Sequence, residues 1–245
     1  MVRGDGTRDW RSLLKVDPTD WLPERENPSV RHFALRDILD CSDKDPEIVE
    51  ARAAIRRYKK VSKIFRKQKP GGYWESAEHP YHPKYKSTYW QIIILGLLGL
   101  DKGDERVRRA SGYIFQFQLE DGGFTTFREE GAKREYQWMK KRLLEKEREN
   151  PPFEAWAQEK IREYEMSCLT GNVAAALIRL GYASDGRVRR ALKWLAEVQN
   201  ADGKWILEST PSGRMQTNPE QKGKPSKFVT LNALRVIKRL YKDRV

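Results

Sequence analysis

Apolar and polar positions alternate along this chain on the scale of whole helices. The runs "STYWQIIILGLLGL" (87–100) and "CLTGNVAAALIRLGY" (168–182) are rich in apolar residues. The runs "ERVRRASGYIFQFQ" (105–118) and "GRVRRALKWLAEVQ" (186–199) instead place apolar residues at helical spacing and turn Arg-rich faces outward. More apolar helices pack inside and amphipathic ones border solvent. The pattern predicts an all-α protein. Inner helices are expected over 29–40, 84–99, 168–182 and 226–241, and outer helices over 46–67, 104–118 and 187–199. A short helix is expected near Arg8–Leu14, in a leader spanning 1–27 that carries Pro18 and Pro23.

The junctions repeat. "KKVSKIFRKQKPGGYW" (59–74), "RASGYIFQFQLEDGGF" (109–124) and "RALKWLAEVQNADGKW" (190–205) align without gaps. Each carries Gln, then Gly, then an aromatic: Gln68/Gly72/Trp74, Gln118/Gly122/Phe124 and Gln199/Gly203/Trp205. The first copy is degenerate, with Lys63 where the others have Tyr113 and Trp194. "LGLDKGDERVRRA" (98–110) also parallels "RLGYASDGRVRRA" (179–191). Self-similarity at this period marks stacked helical hairpins. Gly suits a left-handed helix cap, the Gln amide can tie to free backbone groups at a helix end, and the aromatic can fold back over the last turn.

This phrase resembles the QW repeat of the squalene cyclase and protein prenyltransferase superfamily, Lys/Arg-Gly-x-x-aromatic-aliphatic-x3-Gln-x3-Gly-x-Trp. Ala110 and Ala191 stand at its first Gly, and Phe124 at one Trp. The resemblance runs over about 28–242 and implies an α/α toroid of repeated hairpins around a central cavity. The hairpins are too few to close such a ring, so the toroid is incomplete or is completed by the charged helical insertion at 128–166. That insertion reads as two helices broken at Asn150-Pro151-Pro152. Residues 207–225 form a long polar loop. The organisation is thus a leader at 1–27 and a toroid-like domain at 28–245.

The cavity of such a toroid is reached from one end of its inner helices. At the N-terminal ends stand "HPYHPKYKSTYWQ" (79–91), "EMSCLTGN" (165–172) and "KPSKFVT" (224–230). Helix starts offer free N–H groups and positive potential to a phosphate or carboxylate, and Lys84, Lys86 and Lys227 add charge. Capping by Ser87, Ser167 and Ser226 explains the same polarity. Tyr81, Tyr85, Tyr89 and Trp90 are candidates to line an apolar pocket and steady a cation, with Asn172 and Thr230 completing the binding set. Plain packing uses the same residues.

Catalytic candidates are Cys168, His79 and His82. The resemblance implies a zinc held by Asp-x-Cys and a later His, but Met166 replaces the Asp and no His follows Cys168. His79, His82 and Cys168 are the one zinc set the residues allow, and zinc needs about four ligands; no metal or other cofactor is assigned. A thiol at a helix start is expected to have a lowered pKa, while a small buried residue is the plainer reading. The Asp-x-Asp-Asp acid of terpene cyclases has no counterpart, nor do the motifs of phosphate-loop, dinucleotide, serine-hydrolase or zinc-protease sites.

Composition adds three limits. Net charge is +13, which suits anionic partners, and "RRYKKVSKIFRKQK" (56–69) concentrates cations. Two cysteines, Cys41 and Cys168, make no framework. The longest apolar run, near 92–100, falls short of the ~20 residues of a membrane helix, and no signal segment opens the chain, so a cytoplasmic protein is expected. Three functions follow: an isoprenoid- or lipid-binding protein or enzyme, a non-catalytic scaffold taking a protein partner through 128–166, and a basic nucleic-acid binder.

Overall fold

A computed structural model describes residues 10–144, 149–209 and 220–242. The described residues form an all-helical protein, with two isolated β-bridges and no strands. The chain divides into two compact units, one through Ser62 and one from Lys63.

The first unit holds a 3-10 turn at Trp10–Leu13, then α1 (Pro28–Asp37) and α2 (Pro46–Arg57). Both helices start on an Asx cap followed by Pro at the first helical position, where no N–H is missed. Leu35, Ile48 and Ala51 form the core between them, with Cys41 packed alongside. Arg31 is nearly buried and holds the hairpin from inside, donating to Glu47 at 2.8 Å and to the Pro23 carbonyl at 2.7 Å. The expected single outer helix over 46–67 breaks at Tyr58 and resumes as α3 (Lys59–Phe65), which crosses the unit boundary. A continuous helix would stack Arg56 and Arg57 against Lys59 and Lys60 at i,i+3 and i,i+4, and the break relieves that repulsion.

In the second unit, α4 (Thr88–Leu97), α8 (Ser167–Leu177) and α10 (Lys227–Lys242) lie side by side, α8 in the middle. Behind them, α5 (Glu105–Phe115) packs on α4, and α9 (Gly186–Glu197) packs on α8. The apolar runs thus make one layer and the amphipathic runs the other. α8 ends in a wide π-turn at Ile178–Tyr182, closed by Gly181 in the left-handed region. The insertion folds as a hairpin of α6 (Glu129–Leu144) and α7 (Phe153–Glu163), cored by Phe127, Ala132 and Ala157. α4 begins at Thr88, four residues later than expected at 84, because two prolines hold 79–87 in turns.

The repeated turns couple the layers by one scheme used over and over. Gln68 donates its amide to the Gly72 carbonyl and to the Arg106 carbonyl in the first turn of α5, at 3.2 and 2.9 Å. Gln118 does the same to Gly122 and to Arg187 in the first turn of α9, both at 2.8 Å. The guanidinium of Arg106 lies 4.0 Å over Phe65, and that of Arg187 lies 3.6 Å over Phe115. Each Arg is fixed by the Asp two residues earlier, Asp104 or Asp185, which also caps the helix. On the other side, the N–H of Trp74, Phe124 and Trp205 donates to Thr88, Thr170 and Thr230 of the inner helices, at 2.9–3.1 Å. The Trp74 and Trp205 indoles fold back onto the carbonyls of Ile64 and Leu195. In the third turn Gln199 reaches the Gly203 carbonyl at 2.7 Å, and Ala196 stands where Phe65 and Phe115 stand in the others.

Candidate functional site

The starts of α8 and α10 are anion sites, and the chain's own carboxylates fill them. Glu208 accepts from the Ser167 N–H and hydroxyl at 2.7 and 2.8 Å. Glu220 accepts from the Lys227 N–H at 2.6 Å and from the Ser226 hydroxyl. Both come from the stretch expected as a polar loop, of which 207–209 and 220–225 are described and 210–219 lie outside the described residues. Burial pushes the Glu208 carboxyl up, against the hydrogen bonds of Ser167, whereas the Ser226 hydrogen bond holds Glu220 down. The expected place for a phosphate at these two helix starts is therefore occupied from within. Glu220 stands six residues before Ser226 and lies in plain sight; Glu208 reaches back 41 residues to Ser167, and no local pattern points to it.

Cys168 differs from the expectation of an activated thiol. Its pKa is raised to about 11, first by burial and then by the Glu208 carboxylate that holds the helix start. The backbone N–H groups of the helix start pull the other way, and burial and Glu208 outweigh them. Cys168 packs beside Trp205, Val229 and Ala233 and opens onto a groove between α8 and α10.

That groove has a volume of about 210 Å³. Its walls follow two helical stripes: Cys168, Asn172, Ala175 and Arg179 on α8 and its π-turn, and Phe228, Asn232 and Arg235 on α10. Gly171 and Ala233 keep its floor low. Phe228, in the first turn of α10, is 59% exposed, and Arg179 and Arg235 line the groove further along the two helices.

The aromatic set divides. Tyr81, Tyr85 and Trp90 stack, with the Trp90 ring 5.4 Å from Tyr81 and 4.9 Å from Tyr85. Lys84 lies 5.6 Å over Tyr81. The Trp90 indole donates to the Tyr81 carbonyl at 3.0 Å, so the stack is fixed by the turn itself. Tyr89 is instead core: it is 1% exposed, donates to the Thr125 carbonyl at 2.8 Å, and has its pKa pushed well up by burial. Thr230 is engaged by Trp205, and Lys227 is exposed at the start of α10. Asn172 alone of the expected binding residues lines the α8–α10 groove, whereas Tyr85 and Lys86 line another cleft.

His79 and His82 lie with ring centroids 5.8 Å apart. His79 is buried against Phe127, with Nε2 3.2 Å from the Glu135 carboxylate of α6; burial lowers its pKa against the pull of Glu135. Its geometry ties the Pro-rich turn to the insertion. Among the described residues no three His, Cys, Asp or Glu side chains converge as metal ligands, so His79, His82 and Cys168 do not form the zinc set the residues allowed.

A second perturbed group stands at the middle turn. Glu165 is buried beside Asp121 and Arg162, and its pKa is raised to about 7 by burial and by the hydrogen bond with Asp121, against Arg162. Arg162 pairs with both carboxylates and ties the end of α7 to the turn. The sequence marks Asp121 only as part of a turn.

No helix among the described residues is long and apolar enough to cross a membrane. A scan of protein-family models matches no family, and a search of curated proteins finds no match.

Proposed function

We propose that this chain is a binding protein of the squalene cyclase and prenyltransferase repeat type, with its two helical layers belonging to an α/α toroid. Its ligand is an isoprenoid or lipid-like anion. The observation that carries this reading is the α8–α10 groove, with an apolar entrance at Phe228 and cationic Arg179 and Arg235 along its walls. An apolar tail gains about 25 cal/mol per Å² removed from water, and guanidinium groups suit a phosphate or carboxylate head. Because Glu208 and Glu220 cap the helix starts, the head group lies toward the arginines rather than at the Lys84 and Lys227 rim. Binding rather than covalent turnover fits a Cys168 thiol that stays protonated at neutral pH.

The test is calorimetric titration of the full chain with farnesyl diphosphate and with neutral farnesol. The expected result is saturable binding of the diphosphate, weaker binding of farnesol, and a loss of about tenfold in Arg235→Glu, equivalent to ~1.4 kcal/mol. Absence of saturable binding by either molecule overturns the reading. A protein-scaffold role has one observation in its favour: Trp138 and Leu144 of α6 are 58% and 76% exposed. Crosslinking at Trp138 to a partner protein, with no lipid binding, would establish that alternative.

A further inference from the structure

Away from the α8–α10 groove, a cleft of about 230 Å³ lies where the end of α3, the first Gln-Gly-Trp turn and the approach to α4 meet. Lys63, Lys67 and Lys86 line it, against one carboxylate, Glu75. Among the described residues none of these lysines holds an ion pair or side-chain hydrogen bond. Three exposed lysines and one exposed glutamate along one cleft leave a local excess of positive charge. Lys63 lies on α3, Lys67 two residues past its end, and Lys86 on a different segment.

The walls are built, not loose. Trp74, 2% exposed, is held by its indole hydrogen bond to the Ile64 carbonyl at 2.9 Å. Gln91 donates to the Tyr85 carbonyl at 2.9 Å. Tyr85 stacks on Trp90 yet leaves 70% of its surface open. Two lining residues, Glu75 and Tyr85, adopt φ of +64° and +66°, a region that disfavours L side chains. Backbone of this kind is strained and clusters at ligand sites.

The geometry points to a binding site for a phosphate monoester on a small molecule, its phosphate among Lys63, Lys67 and Lys86 and its body against Tyr85. A phosphate monoester carries about −2 charge near neutral pH and offers three acceptor oxygens, which three lysines can share. Lysine binds phosphate as a point charge, so the site selects charge and leaves the body to the aromatic ring. The same phosphate chemistry is presented by lipid head groups.

The test titrates the full chain with phenyl phosphate, inorganic phosphate, phosphatidic acid vesicles and a single-stranded oligothymidylate, following intrinsic fluorescence and heat. The expected result is saturable binding of phenyl phosphate, tighter than inorganic phosphate and weakened by salt. Lys67→Gln and Lys86→Gln each weaken it several-fold, the triple Lys63/Lys67/Lys86→Gln variant loses it, and Lys69→Gln and Arg235→Glu leave it unchanged. The last control separates this site from the groove above, so either can fail alone. The proposal is overturned by no saturable binding of phenyl phosphate, by equal loss in Lys69→Gln, by binding of vesicles alone, or by affinity that appears only with the oligonucleotide and grows with its length. Circular dichroism of the triple variant confirms that a loss of binding is not a loss of fold.

Discussion

Replacing Gly122 by Ala tests how the repeated turn couples one hairpin to the next. Gly122 has φ of +118°, and an added Cβ would lie 2.5 Å from the Arg190 carbonyl oxygen and 2.7 Å from its carbon. Both are backbone atoms of α9, so no side chain can swing away. The conformation alone costs an L residue ~1–2 kcal/mol. Relief of the clash moves the turn from α9, weakening the Gln118 bond to Arg187, worth about 1 kcal/mol. It also disturbs the Arg187–Phe115 stack, worth about 0.5–1 kcal/mol. The sum is about 3 kcal/mol. Gly203 is the internal control: its φ is +73°, and an added Cβ meets only the Gln199 amide, at 3.5 Å. Gly203→Ala therefore loses only the conformational part, ~1–2 kcal/mol. At about 2–4 °C per kcal/mol for a unit of this size, Gly122→Ala lowers Tm by about 6–12 °C and Gly203→Ala by about 2–8 °C. The assay is thermal unfolding followed by tryptophan signal. Equal shifts in the two variants would refute the coupling argument.

Three further outcomes follow from the same contacts. Gln118→Ala removes the bond to Arg187 and destabilises by about 1 kcal/mol more than Gln199→Ala, which loses only a contact within its own turn; chemical denaturation measures the difference. Glu165 binds its proton more tightly folded than unfolded, so its contribution is full below the unfolded carboxylate range and is lost as pH rises through about 7. The hydrogen-exchange protection factor at the end of α7, taken relative to the intrinsic base-catalysed rate, therefore falls between weakly acid and weakly alkaline pH, and Glu165→Gln flattens that fall; an unchanged profile in the variant would contradict the assignment. Cys168 reacts slowly with iodoacetamide at weakly alkaline pH because its thiol is protonated, and Glu208→Gln, which removes the nearby negative charge, raises the rate; a slower rate in the variant would contradict the assignment.

The Gln-Gly-aromatic turns were legible because their spacing is local and repeats. The two "RVRRA" phrases were legible too, but not as the receptors of those turns, since Gln118 reaches across 69 residues to Arg187. The threonines that take the turn N–H groups lie 14, 46 and 25 residues away, so no fixed offset reveals them. In sequence alone Thr230 therefore reads as a ligand contact, whereas its hydroxyl takes the Trp205 N–H. Tyr89 stands next to Trp90 in sequence, yet about 100° around α4 it faces the core, whereas Tyr85 precedes the helix in a turn. The capping of α8 by Glu208, three residues past Trp205, depends on the third turn lying beside a helix start 41 residues earlier, and it removes the anion site that the helix start alone suggested. The groove itself arises from small residues, Gly171, Ala175 and Ala233, whose effect depends on which helices become neighbours.

The central claim is that the α8–α10 groove holds an isoprenoid-like anion. The most direct measurement is photocrosslinking of the full chain with a benzophenone-bearing prenyl diphosphate, followed by peptide mass spectrometry. The account predicts adducts on α8 and α10, at or beside Cys168 and Phe228, competed away by farnesyl diphosphate and lost in Arg235→Glu. Adducts that fall elsewhere, or that farnesyl diphosphate does not displace, would contradict it.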